Sequence, residues 1–247
     1  MEENKFKFPT EMVELPSKGI VYPENNPLSS GKVEMKYMTA REEDIITNQS
    51  YIQKGVVIDK LLKSLIVSNI DTDDLIVGDK NALLIAARIL GYGSKYTFDY
   101  LGTEYTVDLS TLENKEIDES LFIKGINEFN FTLPHSGTKV TFQLMTDGLE
   151  KKIDNEIKGL AKINKDNLPE MSTRMKYLIT SVEGETDKKY IREFVDNGLL
   201  ARDAKALRDY IVKIQPDIRL VFDRETYDGR IEEADIPIGA NFFFPNS

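Results

Sequence analysis

KVEMKYMTAREEDII, residues 32–46, returns in the second half of the chain as KVTFQLMTDGLEKKI, residues 139–153, with Lys, Val, Met, Thr, Glu and Ile in matching places. Other blocks recur around each copy in the same order. VELPSKG at 13–19 precedes the first copy and FTLPHSG at 131–137 the second. LIVGDKNALLIAARIL at 75–90 follows the first and LLARDAKALRDYIVKI at 199–214 the second, and YTFD at 96–99 then answers to LVFD at 220–223. Four matches in one order predict an internal duplication with a module of roughly a hundred residues. The fold class expected is α+β, with two related modules of β-hairpins and several short helices behind a proline-rich N-terminal arm. The boundaries read as 1–31 for the arm and the first turn of module 1, 32–112 for module 1, 113–126 for a connection, and 127–247 for module 2 with its aromatic C-terminus.

Local signals fill in the modules. Pro9, Pro16, Pro23 and Pro27 each fix φ and remove a donor, which suits an extended arm better than a packed helix or a central strand. Residues 33–37 alternate as a strand does, and Thr39 followed by Glu42 has capping-box spacing, so a helix is expected to start there. Its apolar period continues through Ile58, Leu61, Leu62, Leu65 and Ile66. Asp71 to Asp74 reads as a turn, Asp79 as the N-cap of a helix through Leu90, and Gly91 with Gly93 as its stop. A hairpin follows over 96–109. The second half reads as a hairpin over 128–144, a helix over 146–163, and a short helix through Met175, Leu178, Ile179 and Val182. Another follows through Tyr190, Ile191, Phe194 and Val195, then a third capped by Asp203 and ended by Pro216, and a closing hairpin over 218–236. Phe242, Phe243, Phe244 and Pro245 are too apolar for a free tail and are expected to dock.

Composition removes whole classes of chemistry. There is no cysteine, so disulfides, thiolate catalysis and cysteine zinc sites are excluded, and His135 is the one imidazole, which excludes Ser-His triads built on further histidines and multi-histidine metal sites. His135 itself falls in a Pro-His-Ser-Gly turn and reads as a solvent-facing polar side chain. A net charge of −10 disfavours nucleic acid as a partner, and Lys188, Lys189 and Arg192 sit beside acids. No apolar run approaches the ~20 residues of a membrane span, and the acidic start MEENKFKFP does not resemble a signal peptide, so a cytoplasmic protein is expected. GYGS at 91–94 follows a helix instead of preceding one, which argues against a phosphate loop. Asp71, Asp73, Asp74 and Asp79 lack the glycine and ligand positions of a calcium loop. Glu42, Glu43 and Asp44 are consecutive on a helix and point apart. The reading is a non-enzyme that needs no cofactor or metal and works by binding proteins.

LPSKGIVYPE (15–24), MTAREEDII (38–46), AARILGYG (86–93) and DIPIGANFFFP (235–245) together resemble the baseplate protein family of T4-like contractile-tailed bacteriophages, whose members include hub subunits and hub assembly proteins. The resemblance covers nearly the whole chain, with the motifs in the family's order. Some relatives carry Cys-x-x-Cys pairs in the two hairpins, where this chain has Leu101, Gly102, Thr103 and Glu104 in one turn and Asp228, Gly229 and Arg230 in the other, so a zinc-supported form is not expected. The resemblance implies a non-enzymatic hub assembly protein, either hub subunit or assembly chaperone. It would contact other baseplate hub proteins in the host bacterial cytoplasm and could remain in the virion baseplate. An alternative is a cytoplasmic protein-binding adaptor unrelated to tails. The residues expected to meet a partner are Leu15, Pro16, Lys18, Gly19, Tyr22 and Pro23 in the arm, with Arg41 and Glu42 at the first helix start. If the arm carries binding, removal of residues 1–27 is expected to spare the fold and abolish capture of hub proteins.

Overall fold

A computed structural model describes residues 9–162, 168–226, 228–238 and 242–243, and the fold is mixed α+β. Its first half opens with β1 (Thr10–Glu14), which pairs antiparallel with β2 (Lys32–Lys36), Val13 opposite Val33. Val33 and Met35 face the core and Glu34 and Lys36 do not, the alternation that the pleat imposes. Helices α1 (Ala40–Ile46), α2 (Gln49–Gln53), α3 (Val57–Leu65) and α4 (Val77–Tyr92) follow, and then the hairpin β3 (Lys95–Tyr100) with β4 (Thr103–Asp108).

The second half runs β5 (Phe129–Thr132), β6 (Lys139–Phe142), α5 (Asp147–Ala161), α6 (Glu170–Leu178), β7 (Ile179–Val182), α7 (Lys188–Asn197) and α8 (Ala201–Ile214), and closes with the hairpin β8 (Val221–Glu225) with β9 (Ile231–Asp235). Strands β5, β6 and β7 form one antiparallel sheet in that order.

Several expectations are corrected. Residues 9–31 are not a free arm. Leu15, Val21, Tyr22 and Leu28 are in the core, and β1 is hydrogen-bonded along its length to β2. Removal of residues 1–27 would therefore strip a strand and three core side chains, so it does not separate binding from folding; residues 1–8 lie outside the described residues. The helical spacing of Ile179 and Val182 is overridden as well. The run Ile-Thr-Ser-Val is mostly β-branched and forms β7, with Ile179 opposite Phe142 on β6. The apolar period after Thr39 is broken into three helices by the Asn48 cap and by Gly55 at positive φ. Asp79 and Asp203 are not N-caps. Helix α4 begins after Ile76 and α8 after Leu200, so each aspartate sits inside its first turn and reaches across to another segment.

The two halves share one core. Val77 N–H donates to Met145 O at 3.0 Å and Asp147 N–H to Leu75 O at 2.8 Å, a short antiparallel join between the start of α4 and the start of α5. Beside it Lys151 reaches Asp59 at 2.8 Å, Asp73 at 2.7 Å and Asp147 at 2.7 Å, and Lys80 pairs with Asp59 and Asp147. The hairpins meet through aromatic edges, with Phe98 and Phe222 ring centroids 5.0 Å apart at 81°. Phe242 is buried and packs edge-on to Tyr96 at 5.1 Å, and Phe243 is buried beside it; Phe244 and Pro245 lie outside the described residues. Among the described residues, no helix is long and apolar enough to cross a membrane.

Candidate functional site

The sequence 15–31 is a long turn between β1 and β2, and one buried aspartate holds it. Asp79 on α4 accepts from Ser17 N–H at 2.9 Å through one oxygen, and from Ser17 Oγ and Tyr22 Oη, both at 2.6 Å, through the other. Ile76 N–H donates in turn to Tyr22 Oη at 3.0 Å, which satisfies the donor of the N-cap residue of α4. Burial pushes the Asp79 carboxyl above its usual value against these hydrogen bonds, and burial also raises the Tyr22 phenol, with the Asp79 charge adding to it. The backbone is as constrained as the side chains. Gly19 has φ +79, and a Cβ there would lie 2.5 Å from Ser29 O; Gly31 has φ +69, and a Cβ there would meet Lys18 O at 2.7 Å.

The corresponding turn in the second half has a similar anchor. Asp203 on α8 accepts from His135 N–H at 2.8 Å and Ser136 N–H at 3.0 Å. Its carboxyl is held below the usual range although burial opposes this, because the His135 and Ser136 donors favour the charged form.

The expected contact residues separate into two groups. Leu15, Pro16, Gly19, Tyr22 and Glu42 are buried and shape the fold. Lys18, Pro23 and Arg41 are exposed. Lys18 and Pro23 stand on the clamped turn. Arg41 does not join them, because β2 carries the chain about 3.3 Å per residue away from that turn before α1 begins.

What the turn does meet is the connection between the halves. Gly125 N–H donates to Ile20 O at 2.7 Å, and Lys18 Nζ reaches Glu119 at 2.6 Å. The connection leaves Leu121, Ile123 and Ile126 exposed at 41%, 61% and 47% beside the turn. These three residues were missed from the sequence because 113–126 reads as a spacer. The apolar letters of LFIKGI at 121–126 were the available signal.

Glu42 has a structural task. It is 0% exposed; one oxygen accepts from Lys36 Nζ at 2.8 Å and Ser64 Oγ at 2.6 Å, and the other from Thr39 N–H at 2.9 Å and Thr39 Oγ1 at 2.7 Å. Burial alone would raise its pKa, but these four donors together hold it down at about 2, below the ordinary 4.5. A carboxyl depressed by folding stabilises fully above its unfolded value, and that stabilisation fades as pH falls from about 4.5 towards 2. Glu42→Gln is therefore expected to flatten the acid limb of the stability profile and to lower stability at neutral pH by about 3 kcal/mol, read by urea unfolding from pH 2 to 7. An unchanged acid limb would contradict this.

Among the described residues, no group of three or more His, Cys, Asp or Glu is arranged to hold a metal ion. No protein-family model, curated protein or solved structure matches the chain.

Proposed function

We propose that the chain is a non-enzymatic assembly protein of a phage tail baseplate hub, a hub subunit or an assembly chaperone, that acts on other hub proteins in the infected cell. The observation that carries the binding half of this reading is the surface formed by the clamped turn and the connection. Exposed apolar side chains at Leu121, Ile123 and Ile126 stand beside Lys18 and Pro23, with polar groups at the rim. Exposed apolar residues with a polar rim suit protein contact, and a turn fixed by a buried aspartate presents them without a large ordering cost. The hub half of the reading rests on the four sequence blocks at 15–24, 38–46, 86–93 and 235–245.

We also infer that the chain arose by duplication, with module 1 over 32–112 and module 2 over 127–247. Support comes from the order of elements, which is hairpin, helices, a strand position on the second strand, a long helix and a closing hairpin in each half, the first hairpin beginning at β1 ahead of residue 32, with α1 and α2 standing where the second half has α5 and with α7 found in the second half alone among the described residues. The strand position is Ile66 opposite Met35 in one half and Ile179 opposite Phe142 in the other. Asp79 and Asp203 occupy the same third position of their helices and hold the two turns whose sequences match.

Protein purified through a tag from infected cells is expected to bring hub proteins with it at a fixed ratio. Lys18→Glu combined with Ile123→Glu is expected to reduce that yield about tenfold without changing Tm, as substitutions at the centre of a contact do. Undiminished hub protein on the double variant would remove the surface assignment. Host proteins alone on the wild-type chain would favour the adaptor unrelated to tails.

A further inference from the structure

Among the described residues, the two most exposed large apolar side chains are Leu101 at 79% and Ile231 at 74%. Both stand at the turn ends of packed hairpins, Leu101 between β3 and β4, and Ile231 at the start of β9 opposite Glu225. The fold does not account for Leu101. With Gly102 it makes a two-residue turn in which both residues have positive φ, +54 and +80. Asparagine, aspartate or glycine suits the first of these positions, and a leucine there is strained. The strands behind the turn carry a second liability. Asp99 lies directly opposite Glu104, both are exposed, and like charges facing each other across a strand pair destabilise it. Two departures from local preference within 99–104 point to a contact, since a fold tolerates such features where function needs them.

Beside Leu101 the two hairpins enclose a groove of about 220 Å³, lined by Tyr100, Leu101 and Tyr105 of the first and by Arg224 and Glu225 of the second. Its aromatic wall is fixed in advance. Tyr100 and Tyr105 meet edge to face with ring centroids 6.5 Å apart, and both rest on Phe222, at 5.4 and 4.8 Å. The charge around it is one-sided. Arg224 is taken up by Glu232 at 3.2 Å and by the Tyr100 ring at 5.7 Å, and Arg230 by Asp228 at 2.7 Å. Asp99, Glu104, Asp223 and Glu225 are exposed and have no cation partner among the described residues. Asp99 accepts instead from Gly102 N–H at 3.1 Å, which holds its carboxylate beside Leu101.

We propose that this end of the paired hairpins docks an extended basic segment of a partner protein. An apolar side chain of that segment seats on Tyr100 and Tyr105 beside Leu101. Lysine or arginine on either side of it meets Asp99 and Glu104 of one hairpin and Asp223 and Glu225 of the other. The exposed leucine, the isoleucine and the aromatic wall supply the contact, and the unpaired carboxylates select its charge. The same charge argues against two other occupants. A second copy would bring four carboxylates of its own against these, and an anionic lipid surface would repel them. No residue here belongs to the surface of the clamped turn and the connection, and the proposal does not depend on the hub reading.

Capped peptides carrying Lys-Phe-Lys, Lys-Ser-Lys or Glu-Phe-Glu between Gly-Ser flanks serve as probes. Each is titrated to millimolar concentration into the full-length, isotope-labelled protein, and backbone amide shifts are followed. Lys-Phe-Lys is expected to shift residues 99–105 and 222–226. Lys-Ser-Lys is expected to bind about tenfold more weakly for want of the seated ring, and Glu-Phe-Glu to leave both stretches unmoved. Leu101→Asn is expected to raise Tm by about 2 °C, because asparagine accepts the left-handed turn, and to weaken the Lys-Phe-Lys peptide about fivefold. Glu104→Lys sets an opposite charge across from Asp99 and is likewise expected to raise Tm while weakening that peptide. A leucine kept for folding alone would behave in the opposite way. A Tm lowered by Leu101→Asn, absence of shifts at 99–105, or equal binding of Lys-Phe-Lys and Lys-Ser-Lys would each overturn the proposal. So would a concentration-dependent dimer of the wild-type chain that Leu101→Asn abolishes, which would give the face to a second copy.

Discussion

Asp79→Ala is expected to destabilise the protein by about 4 kcal/mol, because it strands several buried donors at once. Ser17 N–H, Ser17 Oγ and Tyr22 Oη all lose their acceptor, in a segment where Ser17 and Tyr22 are shielded from water. The turn they hold carries Leu15, Val21 and Leu28 into the core, so the loss propagates to packing. Asp79→Asn keeps an acceptor for the Ser17 amide and removes a charge whose burial is unfavourable, so it is expected to be much milder. The ranking is read by urea unfolding, with hydrogen exchange at Ser17 and Gly19 reporting the turn. Asp203→Ala is expected to cost only about 1 kcal/mol, because His135 and Ser136 are exposed and water replaces the lost acceptor. Equal losses at Asp79 and Asp203 would contradict this account of the clamp.

Gly78→Ala is the second large effect. Gly78 is buried in the first turn of α4, and a Cβ there would lie 1.9 Å from Pro216 O and 2.9 Å from Asp217 Cα. Both are backbone atoms, and neither can swing aside. The chain at 216–217 is itself held, since Asn81 Nδ2 donates to Asp217 at 3.0 Å and Lys115 N–H donates to Asp217 O at 2.7 Å. Alanine raises helix propensity by about 1 kcal/mol over glycine, but forcing α4 away from Pro216 outweighs it. A net loss of about 3 kcal/mol is expected, or a fall in Tm of about 6–12 °C for a chain of this size. Gly159→Ala is the control: the same substitution at an exposed position of α5 with nothing within 4 Å of the new Cβ, expected to stabilise slightly. A neutral Gly78→Ala would mean that the two halves do not meet there as described.

The hairpins, the Thr39 start and the long helix at 77–92 were legible because each depends on neighbours in sequence: alternation, a cap three residues from its partner, an apolar period. The role of Asp79 was not. An aspartate near a helix start reads as a cap, and only the tertiary fold brings Ser17 within its reach. The strand at Ile179–Val182 was hidden for a related reason. Met175, Leu178, Ile179 and Val182 satisfy a helical period, and the β-branched run decides otherwise once β6 offers an open edge. The prolines at 9, 16, 23 and 27 suggested an arm because each forbids regular structure locally. Packing does not need regular structure, and Leu15 and Tyr22 bury between them. On the candidate surface, Lys18 and Pro23 were within reach of sequence. Leu121, Ile123 and Ile126 were signalled by the apolar letters of LFIKGI, but only the fold, which lays the connection against the turn, brings them to that surface.

Mass spectrometry of purified phage particles and of the infected-cell lysate, from a phage that encodes this chain, tests the hub reading most directly. The account predicts the chain in association with baseplate hub proteins, at a fixed ratio in the particle for a subunit, or bound to them in the lysate alone for a chaperone. Absence from the particle together with no hub protein bound in the lysate would contradict it.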